Sequence, residues 1–288
     1  MRFLTVVSPA KLNLILRVLG KRKDGYHELV TLFHRISLRD SLTLEKRKEG
    51  IHLICSHPRV PIKNNLIIRA FNLLRQKHPF SGGVTVRLEK RIPIGGGLGG
   101  GSSNAASFLI GMNRLFRLRL SQKELLRLGK KLGADVAFFL TGARQAVGRG
   151  RGDKIQPLPF RGRLWFLLFP SRRGLSTAKV YAGLKSRRFL TAPTHDVRIP
   201  SAFAKDRNLG RLARLCVNDL TESAERVRTS LKNSRERLSA LHLGMCQMSG
   251  SGPTLFMVFP SETKARIALR QIRRQILGGQ TILLCHSF

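Results

Sequence analysis

Nine short segments of the chain either alternate apolar with polar residues or consist of unbroken apolar runs. A period of two, or a short apolar run bounded by turn residues, is typical of β-strands, because successive side chains point to opposite faces. The predicted strands span residues 2–7, 12–19, 29–38, 42–45, 51–55, 84–88, 164–169, 255–259 and 282–285.

Other segments place apolar residues three and four positions apart, which predicts amphipathic helices. These helices begin at Asn65, cover 102–116, follow the Ser121 and Glu124 capping-box pattern to residue 132, and lie around 209–227, 230–241 and 265–276. Strands that occur in runs, and helices that occur in runs, predict an α+β fold. Glycine, arginine and proline are concentrated between residues 148 and 159, which predicts an N-terminal domain over 1–157 and a C-terminal domain over 158–288.

Composition adds a strong positive charge to this picture. The 288 residues are 42% apolar, enough for a sizeable core, and 53 basic against 16 acidic residues give a formal net charge of +37. The excess is spread over the chain, with +19 on residues 1–144 and +18 on residues 145–288. Two explanations of this charge stay open: the protein binds a polyanionic partner, or its composition is rich in arginine for reasons unrelated to any partner.

Cysteine spacing and hydropathy exclude several other classes of protein. The four cysteines are far apart and form no C-x-x-C pair, so we predict buried, reduced thiols rather than a metal or redox site. The apolar run 164–169 has six residues, whereas a membrane-spanning helix needs about 20. We therefore predict a soluble, cytoplasmic protein that does not enter a membrane.

The strongest local signal is segment 95–101, in which six of seven residues are glycine. Glycine allows the backbone to approach a ligand closely, and a following helix N-terminus favours phosphate. A Walker loop is excluded because no lysine precedes Ser102, and the protein-kinase signatures are missing. A dinucleotide motif matches formally, but the nearest following acid is Glu124 and the segment comes late, after a strand-rich region.

Residues 92–103 resemble the ATP-phosphate loop of the GHMP kinases, the superfamily of galactokinase, homoserine kinase and mevalonate kinase. Two further blocks match in order: Ser8-Pro9-Ala10-Lys11-Leu12-Asn13-Leu14 resembles the first motif, and Met248-Ser249-Gly250-Ser251-Gly252-Pro253-Thr254 the glycine turn of the third. The resemblance implies a two-lobed architecture with the active site in the cleft between the lobes.

Segments 24–28 and 133–136 are similar to one branch of this superfamily, whose members phosphorylate the 2-hydroxyl of a CDP-linked methylerythritol in the non-mevalonate isoprenoid pathway. The resemblance implies ATP and Mg²⁺ as cofactors and a cytidylylated small molecule as substrate, with no nucleic acid as partner. Two alternatives stay open: a GHMP kinase for a substrate like mevalonate or homoserine, and a basic nucleic-acid-binding protein. The oligomeric state is not assigned.

The resemblance also implies catalytic roles. Asp135, in an otherwise apolar segment, is the expected base for the substrate hydroxyl, and Lys11 is expected to pair with it. The expected substrate contacts are Asn13, Tyr26, His27, Thr177 and Tyr181, with Tyr26 stacking on cytosine. A helix-capping role for Asp135 and an incidental hairpin position for Tyr26 are the structural alternatives.

For ATP, the resemblance implies that Asn65 contacts adenine and that the loop binds the phosphates. The implied loop residues are Pro93, Gly95, Gly96, Gly97, Leu98, Gly99, Gly100, Gly101, Ser102 and Ser103. The Ser103 hydroxyl is expected near Mg²⁺. Residues 104–123 contain no acid, so no protein carboxylate is assigned to the metal.

Overall fold

A computed structural model describes residues 2–184, 215–275 and 281–288. The chain divides into two compact units, and neither is continuous in sequence. The first unit comprises Met1–Ala10, Leu38–Pro93 and Gly99–Ala143, and the second comprises Lys11–Ser37, Ile94–Leu98 and Arg144–Phe288.

Strands and helices alternate irregularly along the described residues, which confirms the predicted α+β class. The strands are β1 (Phe3–Lys21), β2 (His27–Arg47), β3 (Ile51–Cys55), β4 (Gly83–Glu89), β5 (Gln145–Gly150), β6 (Lys154–Leu158), β7 (Trp165–Phe169), β8 (Val217–Asn218), β9 (Cys246–Met248), β10 (Leu255–Phe259) and β11 (Leu283–His286). The helices are α1 (Leu66–Lys77), α2 (Gly100–Leu115), α3 (Gln122–Leu132), α4 (Ala134–Leu140), α5 (Thr177–Ala182), α6 (Thr221–Val227), α7 (Thr229–Ser239) and α8 (Glu262–Gln275).

In the first unit, helices pack against a sheet that includes β3, β4 and the end of β2. β4 runs antiparallel to β2, from Ser41 opposite Glu89 to Arg47 opposite Gly83, and parallel to β3. Because β3 and β4 are parallel, the chain returns through a crossover that contains α1. Helix α2 packs between α1 and α4, and its Gly111 brings the backbone so close to β2 that an added Cβ would lie 2.2 Å from Leu44 Cδ1.

The second unit contains an antiparallel sheet in the order β11-β7-β10-β9. β10 aligns with β7 from Leu255 opposite Phe169 to Phe259 opposite Trp165. Apolar residues of one face of this sheet form a buried core with α5, α6, α7 and the inner face of α8, where Ala265, Ala268 and Ile272 lie. In the same unit β1 pairs with β8 in parallel, and β2 pairs with β5, which forms a hairpin with β6.

Several predicted elements differ from those observed. The two strands predicted at 2–7 and 12–19 form one strand, β1, because its polar residues Ser8, Lys11 and Asn13 are buried with hydrogen-bond partners instead of breaking the strand. The strands predicted at 29–38 and 42–45 are likewise one strand, β2. The helix predicted around 209–227 is wrong at Val217–Asn218, which is strand β8; residues 209–214 lie outside the described residues.

The stretch 148–153, where composition predicts a change of domain, comprises the end of β5 and the turn to β6 inside the second unit. A boundary between residues 157 and 158 stays a prediction. Cys216, Cys246 and Cys285 are buried and Cys55 is half-buried, and none of the four is in a disulfide bond. None of the helices in the described part of the chain is long and apolar enough to cross a membrane.

Candidate active site

The glycine-rich loop between β4 and α2 adopts an alternating backbone conformation. Gly95, Gly97 and Gly99 have φ values of 65°, 75° and 69°, in the left-handed region where only glycine is unstrained. Alternation of left-handed residues with others turns successive N–H groups toward a common side, a geometry that binds anions. The loop therefore has the backbone conformation that a phosphate cradle requires.

Helix α2 begins directly after this loop. Its N-cap, Gly99, provides no side-chain acceptor, so the N–H groups of the first turn are available to a ligand. Over 16 residues, the aligned peptide dipoles make this N-terminus electropositive. Ser102 is half-buried, whereas Ser103 is fully buried and its Oγ accepts a hydrogen bond of 2.9 Å from Ser8 Oγ. The Ser103 hydroxyl is expected from the sequence to lie near Mg²⁺. In the structure this hydroxyl is hydrogen-bonded to Ser8.

Backbone contacts within the second unit hold the loop segment Ile94–Leu98. Lys11 N donates to Leu98 O at 3.0 Å, and Thr254 N donates to Gly96 O at 3.3 Å. Ser249 Oγ donates to Gly97 O at 3.0 Å, and a Cβ added to Gly97 would lie 2.1 Å from Ser249 O. The third sequence block therefore packs backbone to backbone against the glycine loop, which explains why both are rich in glycine.

Lys11 and Asn13 lie side by side on β1, both almost fully buried. Lys11 Nζ donates to Asn13 Oδ1, and Asn13 Nδ2 donates to Thr31 Oγ1 at 2.7 Å. The Thr31 hydroxyl in turn donates to Ile15 O. Both ends of the Asn13 amide are thus bonded to protein, so this side chain orients the Lys11 ammonium.

The turn around Gly250 closes over the same pair. With φ at +58°, Gly250 has its Cα so close that an added Cβ would lie 3.1 Å from Asn13 Oδ1 and 3.3 Å from Lys11 Nζ. Asn218 Nδ2 fixes the turn by donating to Met248 O and to Gly250 O, at 2.7 Å each. Sequence reasoning missed Asn218 and gave Ser249 no role, because their partners lie far away along the chain.

Asp135 lies in the first turn of α4, in the first unit, and is half-buried. The N-cap of this helix is Gly133, and no side chain caps it. The alternative that Asp135 is a helix cap is therefore excluded. Its pairing with Lys11 stays a prediction.

Asn65, expected near adenine, is the N-cap of α1. Its Oδ1 accepts from Ile67 N at 2.9 Å, and its Nδ2 donates to Pro61 O at 3.2 Å. Both polar atoms thus support the local turn, and Oδ1 keeps a second lone pair. Pro93, at the entrance of the glycine loop, is half-buried.

A cavity of about 710 Å³ in the second unit is lined by the residues expected to contact the substrate. Tyr26, His27, Thr177 and Tyr181 all border it. The rings of His27 and Tyr181 lie 5.2 Å apart, centroid to centroid, and Thr177 Oγ1 lies 2.8 Å from Ser251 Oγ. The structure therefore brings together four of the five residues that sequence reasoning assigned to the substrate.

Charged residues surround these aromatic rings. The Arg151 guanidinium lies 4.9 Å from the centre of the Tyr26 ring, and Lys21 and Arg151 both line the cavity. Burial, followed by the charge of Lys21, lowers the pKa of His27, so its imidazole is neutral near pH 7. Asp24 Oδ1 accepts from Tyr26 N at 3.2 Å and thereby shapes the turn that carries the ring. Sequence reasoning gave Lys21 and Arg151 no role, because basic residues are frequent throughout this chain.

No group of three or more histidine, cysteine, aspartate or glutamate side chains that could hold a metal ion occurs within residues 2–184, 215–275 and 281–288. The backbone N–H groups of the glycine loop and those of the first turn of α2 are each of a kind that binds phosphate oxygens.

Family models match two stretches of the chain. Residues 65–143 match the GHMP kinases N terminal domain, and residues 201–276 match the GHMP kinases C terminal model. A solved homoserine kinase from Cytophaga hutchinsonii has a TM-score of 0.73 at 18% identity, covering 99% of this chain and 94% of its own, which shows the shared fold.

Relatives with higher sequence identity show to which branch of the GHMP kinases this chain belongs. A 4-diphosphocytidyl-2-C-methyl-D-erythritol kinase of Moorella thermoacetica is 41% identical over 94% of this chain and 95% of its own length. A protein of the same name from Acetivibrio thermocellus is 36% identical over 95% and 96%. A crystal structure of a 4-(cytidine 5'-diphospho)-2C-methyl-D-erythritol kinase superposes with a TM-score of 0.80 at 34% identity and covers 98% of both chains. The chain thus belongs to the 4-diphosphocytidyl-2-C-methyl-D-erythritol kinase family of the GHMP kinases.

Proposed function

We propose that this kinase transfers the γ-phosphoryl group of ATP to the 2-hydroxyl of 4-(cytidine 5'-diphospho)-2-C-methyl-D-erythritol, a step of isoprenoid biosynthesis. The observation that carries the choice of substrate is the cavity bordered by Tyr26, His27 and Tyr181. A pyrimidine base needs an aromatic face and polar ring atoms, whereas mevalonate and homoserine contain no ring to stack.

The glycine loop and the first turn of α2 bind the ATP phosphates in this proposal. Gly95, Gly97 and Gly99 have the left-handed conformations that favour such a cradle. When Mg²⁺ accompanies ATP, it would supply neutralisation of the charge that develops during transfer. Ser102, at the half-buried first turn of α2, is suited to contact this region, since the Ser103 hydroxyl is bonded to Ser8. Asn65 contacts adenine through the lone pair that the cap leaves free.

Asp135 accepts the proton of the substrate 2-hydroxyl and orients that oxygen for attack. Lys11 stabilises negative charge at the reacting phosphoryl group, and Asn13 and Thr31 hold the ammonium in place. Because phosphoryl transfer depends mainly on positioning and charge stabilisation, a buried lysine that is oriented by a hydrogen bond to Asn13 suits this role.

The cytidine base stacks on Tyr26 and packs against Tyr181, with the neutral His27 imidazole beside the base. Thr177 binds the diphosphate or the erythritol hydroxyls. Lys21 and Arg151 add two cations at the same cavity, which favour the diphosphate.

The test is a kinase assay with ATP, Mg²⁺ and one of three acceptors: the CDP-linked methylerythritol, mevalonate or homoserine. We expect ADP release only with the cytidylylated acceptor, and ³¹P NMR of the product should show a new phosphomonoester on the 2-oxygen. Turnover of mevalonate or homoserine at a comparable kcat/KM would contradict the substrate assignment and leave the kinase assignment in place.

A further inference from the structure

A single buried carboxylate, that of Asp40 on β2, is bonded to residues on both sides of the glycine loop. It is completely buried within the first unit. Its Oδ1 accepts from the backbone N–H groups of Arg91 and Ile92, at 2.7 and 2.8 Å. These two residues immediately precede Pro93, where the loop begins, so Asp40 fixes the path by which the chain enters the loop.

The second oxygen of Asp40 reaches the other end of the loop. Oδ2 accepts from Asn104 Nδ2 on α2 at 2.9 Å, and from Lys90 Nζ at 2.7 Å. Asn104 also donates to Ser8 Oγ, which bonds to Ser103. Residues 92 and 104, which bracket the loop, are therefore joined through one carboxylate.

Lys90 completes this arrangement. Its Nζ donates both to Asp40 and to Ile92 O, at 2.7 Å each, and a Cβ on Gly100 would lie 3.1 Å from it. Burial lowers the pKa of the Lys90 ammonium, although Asp40 opposes that shift. A buried ion pair is a poor source of net stability, because both ions lose their hydration. Four hydrogen bonds that converge on one carboxylate do, however, define a single geometry for the groups they join.

We propose that Asp40 is a positioning residue for nucleotide binding: it sets the spacing between the entrance of the glycine loop and the first turns of α2. The N–H groups of the loop and the helix can converge on one phosphate only if that spacing is maintained. This inference rests on the proposed function, since it takes the loop to be the ATP-phosphate site.

Asp40→Asn tests the proposal most directly. The amide nitrogen would replace either Oδ1, and face the N–H groups of Arg91 and Ile92, or Oδ2, and face Lys90 and Asn104. All of these groups are donors, so one side of the arrangement must separate. We expect the Kd for ATP, measured by calorimetry without the second substrate, to rise about 10- to 100-fold, the effect of a displacement near 1 Å. The KM for the CDP-linked acceptor should stay at the parent value. Amide hydrogen exchange should be faster at Arg91, Ile92 and the first turn of α2.

Two further variants keep the test decisive. Asn104→Ala removes the hydrogen bond between Asp40 and α2 and leaves the ion pair between Lys90 and Asp40 intact. It should also weaken ATP binding, and it replaces Asp40→Asn in the test if that variant does not fold. Leu53→Ala, on strand β3 and 5% exposed, is the matched control, because it lowers stability without a bond to the loop. It should keep the parent affinity for ATP.

The outcomes separate this inference from the function on which it rests. Parental ATP affinity in both Asp40→Asn and Asn104→Ala would overturn the positioning role while leaving the kinase assignment in place. An equal loss of affinity in Leu53→Ala would also overturn it, because general destabilisation would then be sufficient. If the parent protein binds no ATP at all, the proposed function itself fails, and the role of Asp40 fails with it.

Discussion

Tyr26 presents a ring that is 57% exposed, with the Arg151 guanidinium 4.9 Å from its centre. An exposed aromatic ring at a cavity gains contact area only when a ligand covers it, so we expect this ring to contribute to the free energy of ligand binding. We expect Tyr26→Ala to raise the KM for the CDP-linked acceptor by the equivalent of about 1–3 kcal/mol, the usual contribution of base stacking. The value of kcat should change little, because the base is remote from the transferred group. Steady-state kinetics measure both.

Tyr26→Phe is the matched control for this prediction, since it keeps the ring and removes only the hydroxyl. It should retain the parent KM. An alanine variant that handles the cytidylylated acceptor as well as the parent would show that Tyr26 does not stack on the base.

Asp135→Asn should have the opposite kinetic signature. The amide keeps the shape of the carboxylate but cannot accept the hydroxyl proton, so we expect kcat to fall by about 10²–10⁴. A dissociative transition state places the effect at the low end of this range. Single-turnover assays, with Kd values for both substrates measured separately, distinguish chemistry from binding. Glu49→Gln, at an exposed position, is the control, and full turnover in Asp135→Asn would refute the role of this residue.

Where a motif carries a residue, as for Lys11 and Tyr26, the sequence assigns it a role that stays a prediction. The contacts that hold these side chains in place could not be found in this way. Asn13 bonds through its backbone to Ser249, 236 positions away, and Asn218 and Asp40 bond to Met248 and Asn104, which lie 30 and 64 positions away. The sequence does not show which partner a buried polar side chain bonds to, because the pairing depends on how the strands and helices pack.

At the scale of elements, the glycine loop has the least tolerance for substitution. Gly97 combines φ of +75° with a Cβ position 2.1 Å from the Ser249 carbonyl oxygen. Gly97→Val must therefore displace the loop from the third motif, and we expect calorimetry to detect no ATP binding. Circular dichroism should show parental helix content, because the change lies outside the helices.

Gly20→Ala is a suitable control for that experiment. Gly20 lies on β1, with nothing within 4 Å of its added Cβ and no left-handed conformation. Its alanine variant should bind ATP as the parent does. Near-parental ATP affinity in Gly97→Val would show that the loop is not a phosphate cradle.

Elements with strong patterns were predicted well. The strands at 51–55 and 255–259 agree with the observed bounds, and the capping box of Ser121 and Glu124 is confirmed. Helix α4 has seven residues and β9 has three, too few for a period to be recognised, and neither was predicted. The long strands β1 and β2 were each divided in two because buried polar residues resemble the ends of strands.

At the scale of the whole molecule, we expect the net charge of +37 to affect both the association of ligands and the stability of the folded state. ATP and a CDP-linked substrate are both polyanions, and a positive field increases their association rates. The same net charge opposes compaction through self-repulsion, so the folded state must depend on its apolar core.

Stability toward acid should depend on His34, which is fully buried between Phe160 and Phe166 and hydrogen-bonded to Ser287. Burial lowers its pKa from 6.5 to about 3. Between these values the unfolded chain binds a proton that the folded protein does not, so this contribution is complete above pH 6.5 and is lost as the pH falls toward 3. From pH 6.5 to 5, one such group lowers the free energy of unfolding by about 2 kcal/mol.

Urea unfolding at several pH values measures this loss. His34→Gln should lower stability at neutral pH and flatten the decline in acid. His52→Gln, at an exposed position on β3, should keep the parent slope. The same acid slope in His34→Gln and the parent would assign the decline to other groups.

The distribution of the four thiols makes selective chemical labelling practicable. Burial raises the pKa of Cys216 and Cys246 to about 12, which leaves almost no thiolate to react with a maleimide, and Cys285 is also buried. Cys55 is half-buried and adjoins Ser56, whose Oγ accepts a hydrogen bond from Lys90 N at 2.9 Å. A fluorophore attached to Cys55 would therefore sit beside the segment that leads into the glycine loop, and its emission would follow nucleotide binding in real time without any engineered cysteine.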